Sequence, residues 1–464
     1  MRSRRGLDGE WRYNKHGMDF KLTATLDTMD SSSPIATKPV PKVVLNTPVE
    51  IWQEIIDWVL FDLVIFLTDP FFPGCNLHTA LNDWTDSRRL RNHEVQRGHL
   101  RLVSHAWKTL IDSSSYRYFE PYGRTYVDQI GKYSQPAHRL EFHHRCGLPI
   151  VKGRVESCAS CELYSGLGIE SIVFQQCTPL NAKILRFPRW WQSGIYLDPH
   201  QSAFYDYFPN LRALFISADE DSLNTVSKLF INLTFLSLRK EKGTRTYSTE
   251  EYSPLVLPKL KTFQFHVTYN SDVGFLKEWS MPSLAHIDLI VEVPRTDLSD
   301  ICTLFLDIGH SAQSIRISGE MEFLPFPSEI WEKMPLLEYL ALSTLDRPDN
   351  QPPVLPSPPP NHPFHTLATI WDEVYMHRAR EDVHRVIGKW KGLGTIADSH
   401  SWESMPKTFL ENWEEHGPIV KVPAPSYASA WEYVALLQLS CTEHGLRYED
   451  CSGRTFAQFQ AQYI

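Results

Sequence analysis

From about residue 205 the chain repeats one short pattern: an apolar residue, two others, an apolar residue, one other, an apolar residue. Leu211, Leu214 and Ile216 fit it, as do Leu233, Leu236 and Leu238, then Leu260, Phe263 and Phe265. Leu284, Ile287 and Leu289 follow, then Ala312, Ile315 and Ile317, then Leu337, Leu340 and Leu342. Successive copies start 22, 27, 24, 28 and 25 residues apart. That spacing matches a strand plus a return segment, the unit of a stacked array. The last apolar pair of each copy is separated by one residue, the alternation of a strand. Pro209, Pro258, Pro282 and Pro335 introduce four copies, where a fixed φ and a missing N–H suit strand entry. Asp297 would cap a helix carrying Leu298, Ile301, Leu304, Phe305 and Ile308. The predicted fold class is α/β, a solenoid in which each unit buries its face only against its neighbours.

The pattern changes upstream. At residues 45–60, Thr47 and Glu50 form a capping box with Pro48 at the first helical position. The helix carries two apolar stripes: Ile51, Ile55 and Val59, and beside it Trp52, Ile56 and Leu60. One stripe suffices for a surface helix, so two imply burial on both sides, by the protein itself and by a partner. A second helix, residues 99–110, places Leu100, Val103, Trp107 and Leu110 on one face, and Asp112 to Ser115 stop it. Between the two helices, residues 68–98 read as a polar insertion opened by the turn signals Asp69-Pro70 and Pro73-Gly74.

The remaining boundaries follow from composition. Residues 1–41 read as a disordered tail, basic and then Ser/Pro-rich. Residues 42–119 form the helical module, and 120–204 link it to the array or contribute its first irregular turns. Residues 205–464 hold the array, with a Pro-rich loop at 346–363 and a C-terminal cap.

If the apolar positions of each copy face inward, the residues between them face outward. That sets Phe215, Ser237, Gln264, Asp288, Arg316 and Ala341 in one row. Phe235, His286 and Tyr339 fall in a neighbouring row, with Arg239 and His266 beyond the last apolar position. Solenoids bind partners on such rows. The candidate target-binding residues are Phe215, His266, His286, Asp288, Arg316 and Tyr339, with Phe215 and Tyr339 expected to be exposed aromatic contacts.

These patterns resemble two known families in sequence order. Leu45, Pro48, Glu50 and Ile51, closed by Leu100, Val103 and Trp107, resemble the F-box motif. The repeats resemble leucine-rich repeats, although the positions where that family places Asn or Cys hold Asp219, Glu241, Thr268, Glu292, Glu320 and Leu345. The whole resembles the F-box-like proteins of mushroom-forming fungi, in which such an insertion is familiar. The resemblance implies a small helical F-box-like domain with a 68–98 insertion, preceding an irregular leucine-rich-repeat solenoid. It also implies docking on a Skp-type adaptor of a cullin ubiquitin ligase through Leu45, Pro48, Ile51, Trp52, Ile55, Leu102, Val103 and Trp107, while the repeats hold an unknown protein target. The alternative is a stand-alone interaction scaffold whose helices only cap the solenoid. A cap would cover the Trp52, Ile56 and Leu60 stripe with residues 120–200; docking would leave part of that same stripe exposed as an apolar patch.

Charge and composition narrow the function classes. The formal net charge of −9 offers no basic stripe for nucleic acid. Residues 1–20 are charged and lack a signal-peptide core, and the longest apolar run, Ile55 to Leu67, contains Asp57 and Asp62. With eight scattered Cys, the expectation is a cytoplasmic or nuclear protein without a membrane anchor. No phosphate loop, HExxH, GxSxG elbow or kinase signature appears, so no catalysis and no cofactor are expected. His143, His144, Cys146, Cys158 and Cys161 lie close together with one CxxC. Loop thiols and exposed histidines are the favoured reading and a zinc knuckle the alternative, since paired CxxC units are the strong signal.

Overall fold

The computed structural model describes residues 47–72, 79–114, 116–119, 137–141, 182–186, 208–218, 231–240, 255–267, 279–291, 306–319, 329–343, 356–370, 392–398 and 427–463. It also describes the single residues Leu77, Leu276, Ile387, Trp390 and Trp402. The chain divides into a short N-terminal unit, Met1–Val49, and the unit Glu50–Ile464. Leu45, the 1–41 tail and the Cys146, Cys158 and Cys161 cluster lie outside the described residues.

The larger unit is a parallel-strand solenoid with a helical N-terminal region. Twelve strands form one sheet in strict sequence order, and every pair is parallel. They are β1 (Tyr118–Phe119), β2 (Arg139–Glu141), β3 (Ile184–Arg186), β4 (Ala213–Ala218), β5 (Phe235–Lys240) and β6 (Thr262–Val267), followed by β7 (His286–Val291), β8 (Ser314–Gly319), β9 (Tyr339–Ser343), β10 (Thr366–Ile370), β11 (Thr395–Asp398) and β12 (Arg447–Glu449). The helices are α1 (Val49–Leu60), α2 (Leu63–Phe66), α3 (Ala80–Thr85), α4 (Ser87–Arg101), α5 (His105–Ser113), α6 (Ile330–Lys333), α7 (Tyr427–Glu443) and α8 (Phe456–Tyr463).

The repeat pattern produces this sheet directly. Leu214, Leu236, Phe263, Ile287, Ile315 and Leu340 are consecutive partners across β4 to β9, and all are buried on the core face. Two residues on, Ile216, Leu238, Phe265, Leu289 and Ile317 form a second buried row. Truncating one such Leu to Ala removes a well-packed side chain that no neighbour replaces, at about 2–5 kcal/mol.

The prolines act one step earlier than strand entry. Leu211, Leu260, Leu284 and Leu337 each donate a backbone N–H to the carbonyl three residues back, at 3.2, 3.2, 3.0 and 3.1 Å. In each case Pro209, Pro258, Pro282 or Pro335 is the second residue of that four-residue turn, the position its fixed φ prefers. The turn delivers its last Leu into the core, and the strand begins two residues later.

The C-terminal end of the sheet is covered by Trp402, Tyr448, Phe456 and Phe459, which pack ring against ring. Asp450 fixes the turn into α8 by accepting from the backbone N–H groups of Ser452 at 2.9 Å and Arg454 at 3.1 Å. The described part of the Pro-rich loop packs on the return side of the solenoid, where Trp331 donates to the Pro356 carbonyl at 2.8 Å.

Two sequence expectations change in the helical region. Residues 68–98, read as a polar insertion, contain α3 and most of α4. The Asp86 carboxylate accepts from the Arg88 N–H at 2.8 Å and caps α4, a local start signal inside a charged stretch. Residues 99–110 are not one helix. Ser104 accepts from the Trp107 N–H at 3.1 Å and starts α5 afresh, so Leu102 and Val103 sit in a turn rather than on a helix face with Trp107.

Candidate functional site

The helical region and the sheet each present a candidate surface. In the helical region, α1 packs by one stripe and leaves the other open. Ile56 and Leu60 are buried against Ile111, with Leu100, Trp107, Leu110 and Tyr116 around them. Trp52 is half-buried, and its ring lies 5.7 Å from that of Trp107. Ser114 Oγ donates to Asp57 at 2.6 Å and fixes α1 against the end of α5. Among the described residues this stripe is covered by residues 100–116, and the part of it that docking was expected to leave bare is buried at Ile56 and Leu60 and half-buried at Trp52.

The other stripe has no cover among the described residues. Ile51, Ile55 and Val59 are exposed. Leu102 is 84% and Val103 60% exposed in the turn between α4 and α5, and Pro48 is exposed too. Trp58 is 81% exposed, and sequence reasoning passed over it. The available signal was spacing, because Ile51, Ile55 and Trp58 stand at i, i+4 and i+7. A helix that buries one stripe and exposes four large apolar side chains beside it presents an apolar patch of the kind that marks a partner.

On the sheet, the face opposite the core carries the two rows expected from spacing. Phe215, Ser237, Gln264, Asp288, Arg316 and Ala341 are consecutive partners across β4 to β9. Phe235, Thr262, His286, Ser314 and Tyr339 form the neighbouring row.

The first row is knitted by side chains. Ser237 Oγ donates to Gln264 Oε1 at 2.6 Å, and Gln264 Nε2 donates to Asp288 Oδ2 at 2.7 Å. Asp288 is 1% exposed. Its other oxygen, Oδ1, has no hydrogen-bond partner among the described residues and stands 3.8 Å from Arg316 Nε. At the other end of this row Arg186 reaches Glu141 at 3.6 Å, and Arg139 is held by the same Glu141 carboxylate at 2.6 Å, both of that pair fully buried.

Phe215 and Tyr339 are buried, contrary to expectation, as are His266 and Asp288, while His286 is half-buried and Arg316 partly exposed. A strap formed by α2, residues 67–72, Leu77 and α3 accounts for much of this. Trp84 is fully buried, with its ring 5.3 Å from Phe215 and 4.6 Å from Phe235, and its indole N–H donates to the Leu67 carbonyl at 3.0 Å. Phe71 stacks on His286 at 4.4 Å, and Leu77 packs on the patch formed by Tyr339, Ala341, Ala368 and Ala397. Thr234 donates to the Thr68 carbonyl at 3.2 Å, and Thr262 to Asp69 Oδ1 at 2.9 Å. Burial under this strap pushes the Asp69 carboxyl up to about 6 and the His286 ring down to about 4, because a charge there loses its hydration. Burial also pushes the Tyr339 hydroxyl up.

The strap leaves an opening over the row. It is lined by Asn82 and Thr85 of α3 and by Arg186, Arg239, Asp288 and Arg316 of the strands. Among the described residues no group of three or more His, Cys, Asp or Glu is placed to hold a metal ion, and no helix is long and apolar enough to cross a membrane. The class that fold and surfaces define is thus a solenoid with an N-terminal helical region, presenting one apolar patch and one polar, arginine-lined cleft. Comparison with family models and with curated proteins finds no match to this chain.

Proposed function

We propose that the chain is a non-catalytic adaptor, in which the N-terminal helices act as an F-box-like element docking on a Skp-type subunit of a cullin ubiquitin ligase. The solenoid, read as an irregular leucine-rich-repeat array, holds a protein target. The observation that carries this reading is the second stripe of α1. Its helix is already anchored through Ile56 and Leu60, yet Ile51, Ile55, Trp58 and Val59 stay exposed, as do Leu102 and Val103 in the turn before α5. Burying a side chain of this size is worth about 1.5–3 kcal/mol, so a partner covering several of them gains enough to bind without any new charge pairing. Leu45, Pro48, Ile51 and Trp107 also follow the F-box order in sequence.

The experiment is capture of a purified Skp-type adaptor by the full chain, beside the variant Leu102→Asp with Val103→Asp. Both positions are exposed, so the variant keeps the fold, which circular dichroism checks. Capture by the wild type and its loss in the folded variant supports the adaptor. Absence of capture by well-folded wild type makes the chain a stand-alone scaffold.

A further inference from the structure

The cleft between α3 and the strands β3 to β8 concentrates cations in an acidic protein. Arg186, Arg239 and Arg316 all line it, whereas the whole chain has a formal net charge of −9. Asp288 is the one acidic side chain among the lining residues, and Glu141 stands behind Arg186. Asp288 is deep in the sheet and already engaged through Oδ2 by Gln264. Arg316 makes no closer ion pair among the described residues than its 3.8 Å approach to Asp288, beyond hydrogen-bonding distance. Its guanidinium therefore keeps donors for an incoming acceptor. Asn82, exposed on α3, and Thr85 add polar groups at the opposite wall. The cleft is polar where it meets solvent and roofed by a helix, so charge pairing inside it is screened less than on an open surface.

We propose that this cleft binds an anionic group, a carboxylate or a phosphate, carried on a peptide segment of the target protein, with Arg316 as its principal donor. This deepens the target-holding half of the adaptor reading and does not depend on docking of the helices. An anion fits because guanidiniums outnumber carboxylates among the described lining residues, and a Lys or Arg of a partner would be repelled by Arg316. Arg is also the side chain whose planar fork matches both carboxylate and phosphate oxygens.

The test measures fluorescence anisotropy of labelled peptides with the full chain at low salt and with no ligase subunit present, so that its failure leaves the adaptor pull-down standing. The probes are a hexaglutamate peptide, a phosphoserine peptide and a neutral hexaglutamine peptide. One or both acidic probes should bind, the neutral one should not, and binding should weaken with added salt. Arg316→Gln should weaken binding about ten-fold or more, the loss of one charge-assisted pair.

A rim pair guards against mere structural damage. Asn82→Glu should weaken binding and Asn82→Lys should tighten it, since damage would weaken both. Carboxylate and phosphate are told apart by which probe binds more tightly. Equal binding of all three peptides, binding untouched by Arg316→Gln, or the same effect of Glu and Lys at position 82 would overturn the proposal, as would no binding of either acidic probe.

Discussion

Replacing Trp84 with Ala tests whether the strap is held as a unit on the sheet. Trp84 is fully buried, packs on Phe215 and Phe235, lies with the Arg139 guanidinium 5.2 Å from its ring centre, and donates its indole N–H to Leu67. Loss of a buried Trp side chain costs about 3–5 kcal/mol, and the lost hydrogen bond adds about 1 kcal/mol. Arg139 and His138 hold α2 through the Ile65 and Phe66 carbonyls, at 3.1 and 3.0 Å, but what remains to hold the strap beyond α2 is small: the Thr234 and Thr262 hydroxyls, the Phe71 ring on His286, and Leu77 and Leu81. The strands keep their ladders and their opposite, core face, which Trp84 does not touch. The deficit should therefore appear as local opening, a route that proteins take when one segment is held by few contacts. Hydrogen exchange read by peptide mass spectrometry measures it. Amides of residues 67–72 and 79–85 should exchange about a thousand- to ten-thousand-fold faster, as each 1.4 kcal/mol is a factor of ten, while β5 to β8 stay protected. Unchanged exchange at 67–72 and 79–85 refutes the strap. Equal loss of protection in the strands refutes its independence from the solenoid.

Two further expectations concern pH and follow from groups beneath the same strap. Asp69 is held near 6 by burial, so the folded chain keeps a proton that the unfolded chain releases near 4. The Asp69 contribution to stability falls as pH rises from about 4 to about 6 and then levels, by at most about 3 kcal/mol, and it is read as the pH-dependent difference between wild type and Asp69→Asn in urea midpoints taken across that range. His286 and His138 run the other way. Burial holds both near 4, so between about 6.5 and 4 the unfolded chain binds protons that the fold refuses, and stability falls with falling pH. Substituting His286 by Gln should reduce that loss below pH 6, and an unchanged acid limb would exclude His286 as a contributor.

The parts of the structure that were legible in the sequence are those written in a local period. The positions Leu214, Leu236, Phe263, Ile287, Ile315 and Leu340 recur at a spacing that a stacked parallel sheet satisfies, and the register follows from aligning them. The row from Phe215 to Ala341 came from the same alignment. The helix breaks were less legible, because Asp86 and Ser104 cap from within charged or apolar runs where a single capping residue competes with the surrounding helical pattern.

The strap was not legible, and the reason is sequence distance. Asp69 and Thr262 are 193 residues apart, and no local pattern announces such a pairing. Its signature was still present as an inconsistency. Phe71, Leu77, Leu81 and Trp84 stand in a stretch read as polar, while Phe215, Phe235 and Tyr339 stand on a face read as open. Two sets of large apolar side chains, each without a stated cover, satisfy one another when brought together, since soluble chains rarely leave extended apolar patches bare.

The same reasoning gives the α1 stripe its weight. The aromatic residues of the sheet face found a cover within the chain, and so did Ile56 and Leu60. Ile51, Ile55, Trp58 and Val59 did not, among the described residues. That uncovered apolar stripe, beside one that is covered, is what the proposed docking rests on. The cleft over Asp288 and Arg316 differs in kind: it is open because the strap ends short of it and its walls are charged. On the proposed reading the chain separates two tasks chemically, apolar burial on the helices and charge recognition on the sheet, and variants at Leu102 and at Arg316 should affect one without the other.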